Sequence, residues 1–258
     1  MLLLLWLAAS GLGEEDPSFD SASGLVGGWV TPILIHNVEA SKAARINREL
    51  LSVVSEHYRR WNATRDAEQV RADECAVRRP QSRKGGRVEN NNGFYLYQKA
   101  SPILSLAMRA VRELHEEIDK AFRGYPLDPG SSAQQGVPRT DEWIQKHVWA
   151  THHTGHSRGH PLHDHGRFAA SGVYFVNAPE GSADLQFHDP RCLPGVRSPH
   201  TPLAPQPGKL VLFPSWLRHA VGHSYIEGDE ARVSIAFNIP GRWEERTGLH
   251  ANLGPVED

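Results

Sequence analysis

The sequence predicts a mainly β protein, a sandwich or an open barrel, with N-terminal helices packed on one outer face. Two observations support this fold class. From about residue 141 onward, short apolar or alternating segments are separated by turn residues, and no helical spacing occurs among them. Before that point, two segments carry apolar residues three and four positions apart, as on one face of a helix. Helices that precede most of the strands are typical of a β core covered by helices on one side.

The N-terminal region is predicted to contain one strand and two supporting helices. Residues 28–36 form an apolar run that is typical of a strand. The first helical stripe consists of Ala43, Ile46, Leu50, Val53, Val54 and Tyr58. A second stripe runs from 104 to 122, after Ser101 and Pro102, which suit the cap and the first position of a helix. Residues 65–92 lie between the two helices, are rich in charge, and are predicted to form a loop.

The strands of the predicted core come next in the chain. They are expected at residues 143–150, 171–176, 183–187, 209–213 and 232–239. We therefore divide the chain into four parts. These are a candidate signal peptide and flexible N-terminus (1–24), a strand and helical support region (25–140), the β core (141–245) and a C-terminal tail (246–258).

The first ten residues form an apolar run that ends in small residues. The run is too short to span a bilayer as a helix, and no transmembrane segment is predicted. It fits the apolar part of a secretory signal, so the secretory pathway or the extracellular space is the expected location. The alternative is a cytoplasmic protein with a frayed N-terminus. The two cysteines, Cys75 and Cys192, could form one disulfide, but the sequence does not show that they meet.

Composition argues against a nucleic-acid partner and draws attention to histidine. The formal net charge is −2, whereas 15 residues are histidine and seven of these lie between residues 147 and 165. Most of the seven are interpreted as part of a solvated histidine-rich loop. His163 and His165 differ, because an aromatic-rich strand follows them and their spacing of two residues puts both imidazoles on one side of a strand.

His219 completes a candidate metal site. It follows the apolar segment 209–213, so this segment would carry its imidazole towards the histidine pair. Three protein ligands with open positions for reactants are typical of a catalytic metal centre. Imidazole suits iron, zinc and copper, so the spacing alone does not identify the metal.

Arg232 and Ser234 form a candidate anion-binding pair. Side chains two residues apart on a strand share one face, and a guanidinium binds a carboxylate bidentately while a hydroxyl adds a hydrogen bond. An arginine inside an otherwise apolar strand needs an anionic partner, and a 2-oxo dicarboxylic acid would supply one. The alternatives are that Arg232 is exposed, or that it pairs with the adjacent Asp229 or Glu230.

Five blocks of sequence together resemble the Fe(II)/2-oxoglutarate-dependent oxygenase superfamily. They are His163-Asp-His165, Ser171-Gly-Val-Tyr-Phe-Val176, Phe187-His-Asp-Pro-Arg191, Leu212-Phe-Pro-Ser-Trp-Leu-Arg-His219 and Arg232-Val-Ser-Ile-Ala-Phe-Asn238. The chain is most similar to a group of 2OG-Fe(II) oxygenases that is related to prolyl hydroxylases, tolerates a His-x-His pair and carries a similar FPSWLxH block. The order and the spacing of the blocks agree from about residue 142 to residue 240.

The resemblance implies both a fold and a reaction. The fold is a double-stranded β-helix (a jelly-roll or cupin-like core) over residues 141–245, supported by two or more helices. The reaction is that of a dioxygenase that uses Fe(II), 2-oxoglutarate and O2. Oxidative decarboxylation would give succinate and CO2, and an unidentified small-molecule or protein substrate would be hydroxylated.

The resemblance also assigns roles to residues of this chain. The metal ligands would be His163, His165 and His219. The residues that bind or line the 2-oxoglutarate pocket would be Arg232, Ser234, Tyr174 and Asn238. No catalytic residue is expected beyond the metal centre.

One position departs from the superfamily's usual His-x-Asp pattern. This chain has histidine at 165, and Asp164 and Asp189 are the alternative third ligands. A three-histidine site occurs among cupin-type dioxygenases, where it usually works without 2-oxoglutarate. The alternatives to the main hypothesis are therefore a three-histidine cupin-like metal dioxygenase that does not use 2-oxoglutarate and a non-catalytic jelly-roll binding protein.

Overall fold

The computed structural model describes residues 3–7, 31–63, 94–97, 107–125, 136–138, 147–155, 157, 159–166, 168–189 and 200–241. Its helices are α1 (Ala40–Ala63) and α2 (Met108–Arg123). Its strands are β1 (Leu3–Leu7), β2 (Thr31–Asn37), β3 (Phe94–Tyr97), β4 (Val148–His153), β5 (His160–His163), β6 (Ala170–Asn177), β7 (Leu185–His188), β8 (His200–Leu203), β9 (Lys209–Phe213), β10 (His219–Val221) and β11 (Arg232–Ile239).

The strands of the described ranges form two antiparallel sheets. The larger sheet has the order β1-β2-β9-β6-β11-β4-β3, and the smaller sheet has the order β5-β10-β7-β8. From β4 to β11 the chain crosses between the sheets at every connection except β7 to β8, which are neighbours in the smaller sheet. This winding is that of a double-stranded β-helix, and the fold class predicted from the sequence is confirmed.

The larger sheet buries a different set of side chains on each of its faces. The face that meets the smaller sheet, called the inner face below, contributes Phe175, Val211 and Phe213 to one apolar cluster. The opposite, outer face contributes Leu212, Ile235 and Phe237 to a second apolar cluster, which also contains residues of both helices. Because side chains alternate along a strand, a shift of one residue moves a side chain from one cluster to the other.

The two helices are held on the outer face by apolar packing and by ion pairs. The predicted stripe of α1 is confirmed, since Ile46, Leu50 and Val54 are fully buried in the outer cluster. The Lys42 ammonium lies 2.9 Å from the Glu117 carboxylate, which links α1 to α2. The helices therefore cover only the outer face, and the inner face is left to the smaller sheet and to the candidate site.

The histidine-rich segment contains a buried strand. β4 extends from Val148 to His153, so the strand predicted at 143–150 continues three residues further than expected. His152 is 4% exposed and His153 is 1% exposed. The interpretation as a solvated loop is wrong for these two residues. The pairing of β4 with β11 explains the difference, because it continues to the pair His153–Arg232 and encloses both imidazoles.

Several predicted features lie outside the described residues. They are the charged loop at 65–92, the helix start at Ser101 and Pro102, the cysteines Cys75 and Cys192, and the tail at 246–258. α2 begins at Met108 in the part that is described. Residues 3–7 form β1, which pairs with β2, and the secretory signal expected of that run stays a prediction. In the described ranges, no helix has both the length and the apolar character that a bilayer span requires.

Candidate metal centre

Three imidazoles converge at one end of the β core. His163 is the last residue of β5 and His219 is the first residue of β10, and the two are cross-strand neighbours. His165 lies two residues beyond the end of β5. One ring nitrogen from each residue lies within 4.8 Å of the others. The structure thus brings together the three histidines that the sequence analysis singled out, at a spacing that one metal ion could bridge.

The turn at 214–217, just before β10, positions two of these histidines. The backbone amide of His165 donates to the carbonyl oxygen of Ser215 at 2.8 Å. The Ser215 hydroxyl donates to the carbonyl oxygen of Gly166 at 2.8 Å. These hydrogen bonds hold the loop that follows β5 against the residues that precede His219. The FPSWLxH block thus fixes His165 and His219 relative to each other.

Backbone carbonyl groups fix the orientation of two of the rings. Nδ1 of His163 lies 2.8 Å from the carbonyl oxygen of Pro161, and Nδ1 of His219 lies 2.9 Å from the carbonyl oxygen of Leu217. Because a carbonyl oxygen only accepts, each Nδ1 must carry the proton in these bonds. The lone pair of each ring is then on Nε2, where a metal ion can bind it.

Burial keeps the three imidazoles in the neutral form that a metal ion requires. It lowers the pKa of His163, and it lowers the pKa of His219 well below the ordinary histidine value. Burial, together with the neighbouring His163 and His160, lowers the pKa of His165 to about 3. Neutral imidazoles, two of them with an oriented Nε2, fit a divalent transition metal.

The candidate centre is open on one side. His219 is buried, whereas His163 and His165 are each partly exposed. The indole of Trp149, on the inner face of β4, lies 5.7 Å from the His165 ring between centroids. A metal held here would therefore have protein on one side and space for reactants on the other.

No carboxylate belongs to this cluster in the part of the chain that the structure describes. Asp164, one alternative ligand, is exposed, and its Oδ1 accepts from the backbone amide of Gly166 at 3.1 Å. Asp189, the other alternative, follows the end of β7 and is likewise outside the cluster. Of the three candidates for the third position, only His165 lies with His163 and His219.

The second part of the site is built around Arg232, which is 1% exposed on the inner face. Its Nε donates to the carbonyl oxygen of Ala183 at 3.2 Å, and its Nη1 donates to the hydroxyl oxygen of Ser234 at 3.3 Å. The guanidinium carbon lies 5.2 Å from the centroid of the Phe175 ring. The Ser234 hydroxyl oxygen lies 2.7 Å from Oγ1 of Thr151. The guanidinium and two hydroxyl groups therefore form one buried polar cluster.

The alternative in which Arg232 is exposed to solvent is wrong. β11 is an interior strand of the larger sheet, between β6 and β4, and both of its faces are covered. Ser234 pairs with Thr151 of β4, and Arg232 pairs with His153, so these four side chains share the inner face. The predicted same-face arrangement of Arg232 and Ser234 is present.

Two further histidines lie beside the two parts of the site. The His160 ring lies 4.2 Å from the His163 ring, edge to face. Burial lowers the pKa of His153 well below its ordinary value, and the nearby charges of Arg232 and His160 lower it further. His153 is the register partner of Arg232, and His160 packs against the metal ligand His163.

Tyr174 does not belong to the site, so its assignment as a co-substrate residue is wrong. It is fully buried in the outer cluster, and its hydroxyl donates to Oδ1 of Asn47 in α1 at 2.7 Å. Its register partners are Ile235 and Leu210, which also face outward. The physical reason is the alternation along β6, which places its neighbour Phe175 on the inner face instead.

Asn238 shares the parity of Arg232 and Ser234 on β11 and lies at the far end of that strand. It is 6% exposed, and its Oδ1 accepts from the Ser171 hydroxyl at 2.7 Å. Its predicted role in the co-substrate pocket stays a prediction.

Sequence analysis missed Thr151 and His153, which share the inner face with Ser234 and Arg232, and His160, which packs against His163. The signal that could have found them is the alternation from Trp149 to His153. Extending the strand pattern past Ala150 puts Thr151 and His153 on the same face as Trp149.

The sequence from residue 147 to residue 238 matches the model of the family described as "Putative 2OG-Fe(II) oxygenase". This stretch contains every candidate site residue described above. The resemblance to Fe(II)/2-oxoglutarate-dependent oxygenases is confirmed, and the match supports an oxidoreductase of that class. The family implies Fe(II), 2-oxoglutarate and O2 as its reactants and cofactor. The comparison with curated proteins gave no match.

The chain also matches solved structures to different extents. AviO1 from Streptomyces viridochromogenes Tue57 is 13% identical, covers 81% of this chain and 90% of its own, and has a TM-score of 0.50. A prolyl hydroxylase from Trichoplax adhaerens, solved with a hypoxia inducible factor oxygen degradation domain peptide fragment, is 12% identical, with coverages of 85% and 87% and a TM-score of 0.47. An oxidoreductase of the 2OG-Fe(II) oxygenase family from Burkholderia pseudomallei is 15% identical, with coverages of 35% and 41% and a TM-score of 0.27. This chain therefore spans less than half the length of the last protein. The similarity to AviO1, at 13% identity, concerns the fold alone.

Proposed function

We propose that this chain is an Fe(II)- and 2-oxoglutarate-dependent dioxygenase that hydroxylates an unidentified small-molecule or protein substrate and releases succinate and CO2. The observation that carries the proposal is that one double-stranded β-helix encloses three converging imidazoles and a buried guanidinium. A 2-oxo dicarboxylic acid has a group for each part. Its 2-oxo acid end can chelate a metal, and its far carboxylate suits the arginine.

Fe(II) would be held by His163, His165 and His219. Two of these rings are oriented by backbone carbonyl oxygens, so that Nε2 is the ligand atom. When bound, Fe(II) together with 2-oxoglutarate and O2 supplies the oxidative decarboxylation and the hydroxylation of a substrate C–H bond. The partly exposed sides of His163 and His165 leave room for the reactants.

Arg232 and Ser234 would bind the far carboxylate of 2-oxoglutarate. The guanidinium is already oriented by the Ala183 carbonyl oxygen and by the Phe175 ring, so binding requires little reorganisation. His153 lies beside it and stays neutral at physiological pH, because burial lowers its pKa. Asn238 is the further pocket residue that we propose, on the same side of β11.

The test is the turnover of 2-oxoglutarate by the full chain with Fe(II) in air, measured as succinate formation. The assay needs no knowledge of the substrate, because uncoupled decarboxylation also yields succinate. We expect succinate only when both Fe(II) and 2-oxoglutarate are present, and none from His219→Ala. A protein that binds Fe(II) but neither binds nor consumes 2-oxoglutarate would contradict the proposal.

The third histidine supports a second candidate function. Three neutral ligands without a carboxylate are also the ligand set of a cupin-like metal dioxygenase that needs no 2-oxoglutarate. Metal-dependent O2 uptake in the absence of 2-oxoglutarate would favour this candidate. A non-catalytic jelly-roll binding protein would show neither O2 uptake nor succinate.

We also propose that the apolar N-terminal run directs the chain to the secretory pathway. The support is its length and composition, with residues 1–24 as the candidate signal. Fluorescence of a C-terminal fusion, with and without residues 1–24, would test this. Cytoplasmic signal from both fusions would contradict it.

A further inference from the structure

The buried hydroxyl pair Thr151 and Ser234 lies at the centre of the proposed carboxylate pocket. Their oxygens are 2.7 Å apart, and both residues are buried, with exposures of 7% and 2%. Ser234 also accepts a hydrogen bond from Nη1 of Arg232 at 3.3 Å. Thr151 belongs to β4 and Ser234 to β11, and the two are register partners. The proposed function assigns a role to Ser234 and none to Thr151.

Counting hydrogens shows that this pair has one donor more than it can use internally. Each hydroxyl carries one hydrogen, and the single bond between them uses only one of the two. Among the described residues, Ser234 is the sole hydrogen-bond partner of the Thr151 hydroxyl, and the Ser234 hydroxyl has only Thr151 and Arg232. One hydroxyl hydrogen is therefore left to meet an acceptor that the described part of the protein does not supply.

The direction of the Thr151–Ser234 bond decides where that hydrogen points. If Ser234 donates to Thr151, the hydrogen of Ser234 is used and cannot reach a ligand. If Thr151 donates to Ser234, both lone pairs of the serine oxygen are occupied, one by Thr151 and one by Arg232. The Ser234 hydrogen is then directed at whatever lies against the guanidinium. A carboxylate there would be bound by the guanidinium and the hydroxyl together.

We infer that Thr151 is a positioning residue for the co-substrate, acting through Ser234. The Thr151 hydroxyl donates to Ser234, so that the serine hydroxyl donates to the far carboxylate of the 2-oxo dicarboxylic acid. This inference rests on the proposed function, because it assumes that the dicarboxylate binds at Arg232. The bond from threonine also polarises the serine hydroxyl and holds its rotamer, which strengthens its bond to the anion.

The test measures 2-oxoglutarate binding by calorimetry with the full chain loaded with Mn(II), which occupies the site without consuming the ligand. Thr151→Val removes the hydroxyl at nearly constant volume. We expect about threefold to tenfold weaker binding, the usual range for one hydrogen bond. Thr151→Ser keeps the hydroxyl and should bind within about twofold of the parent. Thr151→Ala provides the same readout if the valine variant does not fold.

Two further measurements separate a positioning role from a structural one. In a Ser234→Ala background, Thr151→Val should cause no additional loss of affinity, because its effect passes through the serine. Binding of 2-oxobutyrate, which has the same 2-oxo acid end and no far carboxylate, should be unchanged by Thr151→Val. Parent-like 2-oxoglutarate binding by Thr151→Val, or full additivity with Ser234→Ala, would overturn the inference.

The same series distinguishes this failure from failure of the proposed function. If Arg232→Gln leaves 2-oxoglutarate binding unchanged, the assignment of the carboxylate pocket is wrong, and the inferred role of Thr151 is wrong as well. If Arg232→Gln weakens binding strongly and Thr151→Val does not, the pocket assignment holds and only the inference about Thr151 is overturned.

Discussion

The two faces of β11 differ in what they bury and in what they do. On the outer face, Ile235 and Phe237 are in the apolar cluster that contacts the helices. On the inner face, Arg232 and Ser234 are equally buried but meet a carbonyl oxygen, a hydroxyl and an aromatic ring. Burial of a guanidinium is costly, whereas burial of an aromatic side chain is favourable. The residues of β11 that face outward therefore stabilise the fold, and the alternate residues that face inward are available to bind a ligand.

The two faces of β11 should respond differently to substitution. Changes on the outer face should lower the free energy of unfolding and leave the affinity of the folded protein for its ligands unchanged. Changes on the inner face should weaken ligand binding and alter the free energy of unfolding less, because the buried polar groups contribute little net stability. The metal centre, whose histidines lie on or just after strands of the smaller sheet, should respond to substitution in the same way as the inner face.

The largest effect is expected from His219→Ala, which removes the buried member of the three-histidine cluster. Metal content after anaerobic loading with Fe(II) and desalting should fall from about one ion per chain to a small fraction, because two ligands rarely hold such an ion. His223→Ala is the matched control, since His223 is exposed and lies four residues away in the chain. Stoichiometric metal in His219→Ala would show that the cluster is not the metal site.

The next effect is expected from Arg232→Gln. Loss of a buried charge that pairs with a ligand carboxylate costs roughly 2–5 kcal/mol, which corresponds to about 30-fold or more in affinity. We expect this loss in 2-oxoglutarate binding measured by calorimetry, with metal content unchanged. Val233→Ala tests the adjacent outer-face residue and should bind 2-oxoglutarate like the parent. A weaker affinity in Val233→Ala would contradict the separation of the two faces.

Phe237→Ala should affect stability alone. The Phe237 ring fills the space above Gly172, where an added Cβ would lie only 2.4 Å from the ring. Removal of a buried phenylalanine side chain lowers the free energy of unfolding by about 3–5 kcal/mol. Denaturant unfolding followed by fluorescence measures this change, and calorimetry on the folded protein should give parent-like 2-oxoglutarate binding. Normal stability together with weak 2-oxoglutarate binding in Phe237→Ala would show that Phe237 does not belong to the outer face.

The acid sensitivity of the fold should depend on the outer-face residue His152. Burial lowers its pKa from 6.5 to about 4, so the unfolded chain binds this proton below about pH 6.5 and the folded chain does not. Stability should therefore be intact above pH 6.5 and decrease as the pH falls to about 4. At about 1.4 kcal/mol per pKa unit, the loss is about 3 kcal/mol.

The variant His152→Phe isolates this contribution. Phenylalanine can keep the stacking on Tyr58, whose ring centroid lies 4.0 Å from that of His152, and it cannot bind a proton. Free energies of unfolding of the metal-free parent and variant should diverge between pH 6.5 and pH 4. Parallel curves over that range would show that His152 is not the group responsible.

Much of the site could be predicted because its residues are paired by short-range spacing. His163 and His165 are two residues apart, as are Arg232 and Ser234, and alternation alone puts each pair on one side. The proximity of His219 to His163 depends on cross-strand pairing, which residue spacing does not specify. The resemblance to a known family was therefore needed to predict it. The double-stranded β-helix depends in the same way on non-local strand order.

The residues that were misplaced or missed share a physical cause. β6 is buried on both faces, so its sequence has no polar and apolar alternation to show that Tyr174 faces outward and Phe175 inward. His152 and His153 are polar residues in a buried strand, and composition alone favours a loop for them. The contact of Thr151 with Ser234 exists only because β4 and β11 pair in one register, and a shift of one residue would remove it.

The smallest expected effect tests the corrected position of Tyr174. Tyr174→Phe removes the hydrogen bond to Asn47 and leaves the ring, so the free energy of unfolding should fall by only about 1 kcal/mol. Binding of 2-oxoglutarate should be the same as in the parent, because the lost hydroxyl faces α1 on the outer side of the sheet. Asn47→Ala should cause a similar loss, and the double variant should lose little more than either single variant. Weaker 2-oxoglutarate binding in Tyr174→Phe would mean that a change on the outer face of β6 affects ligand binding on the inner face. The separation between stabilising and binding faces proposed for β11 would then not extend to β6.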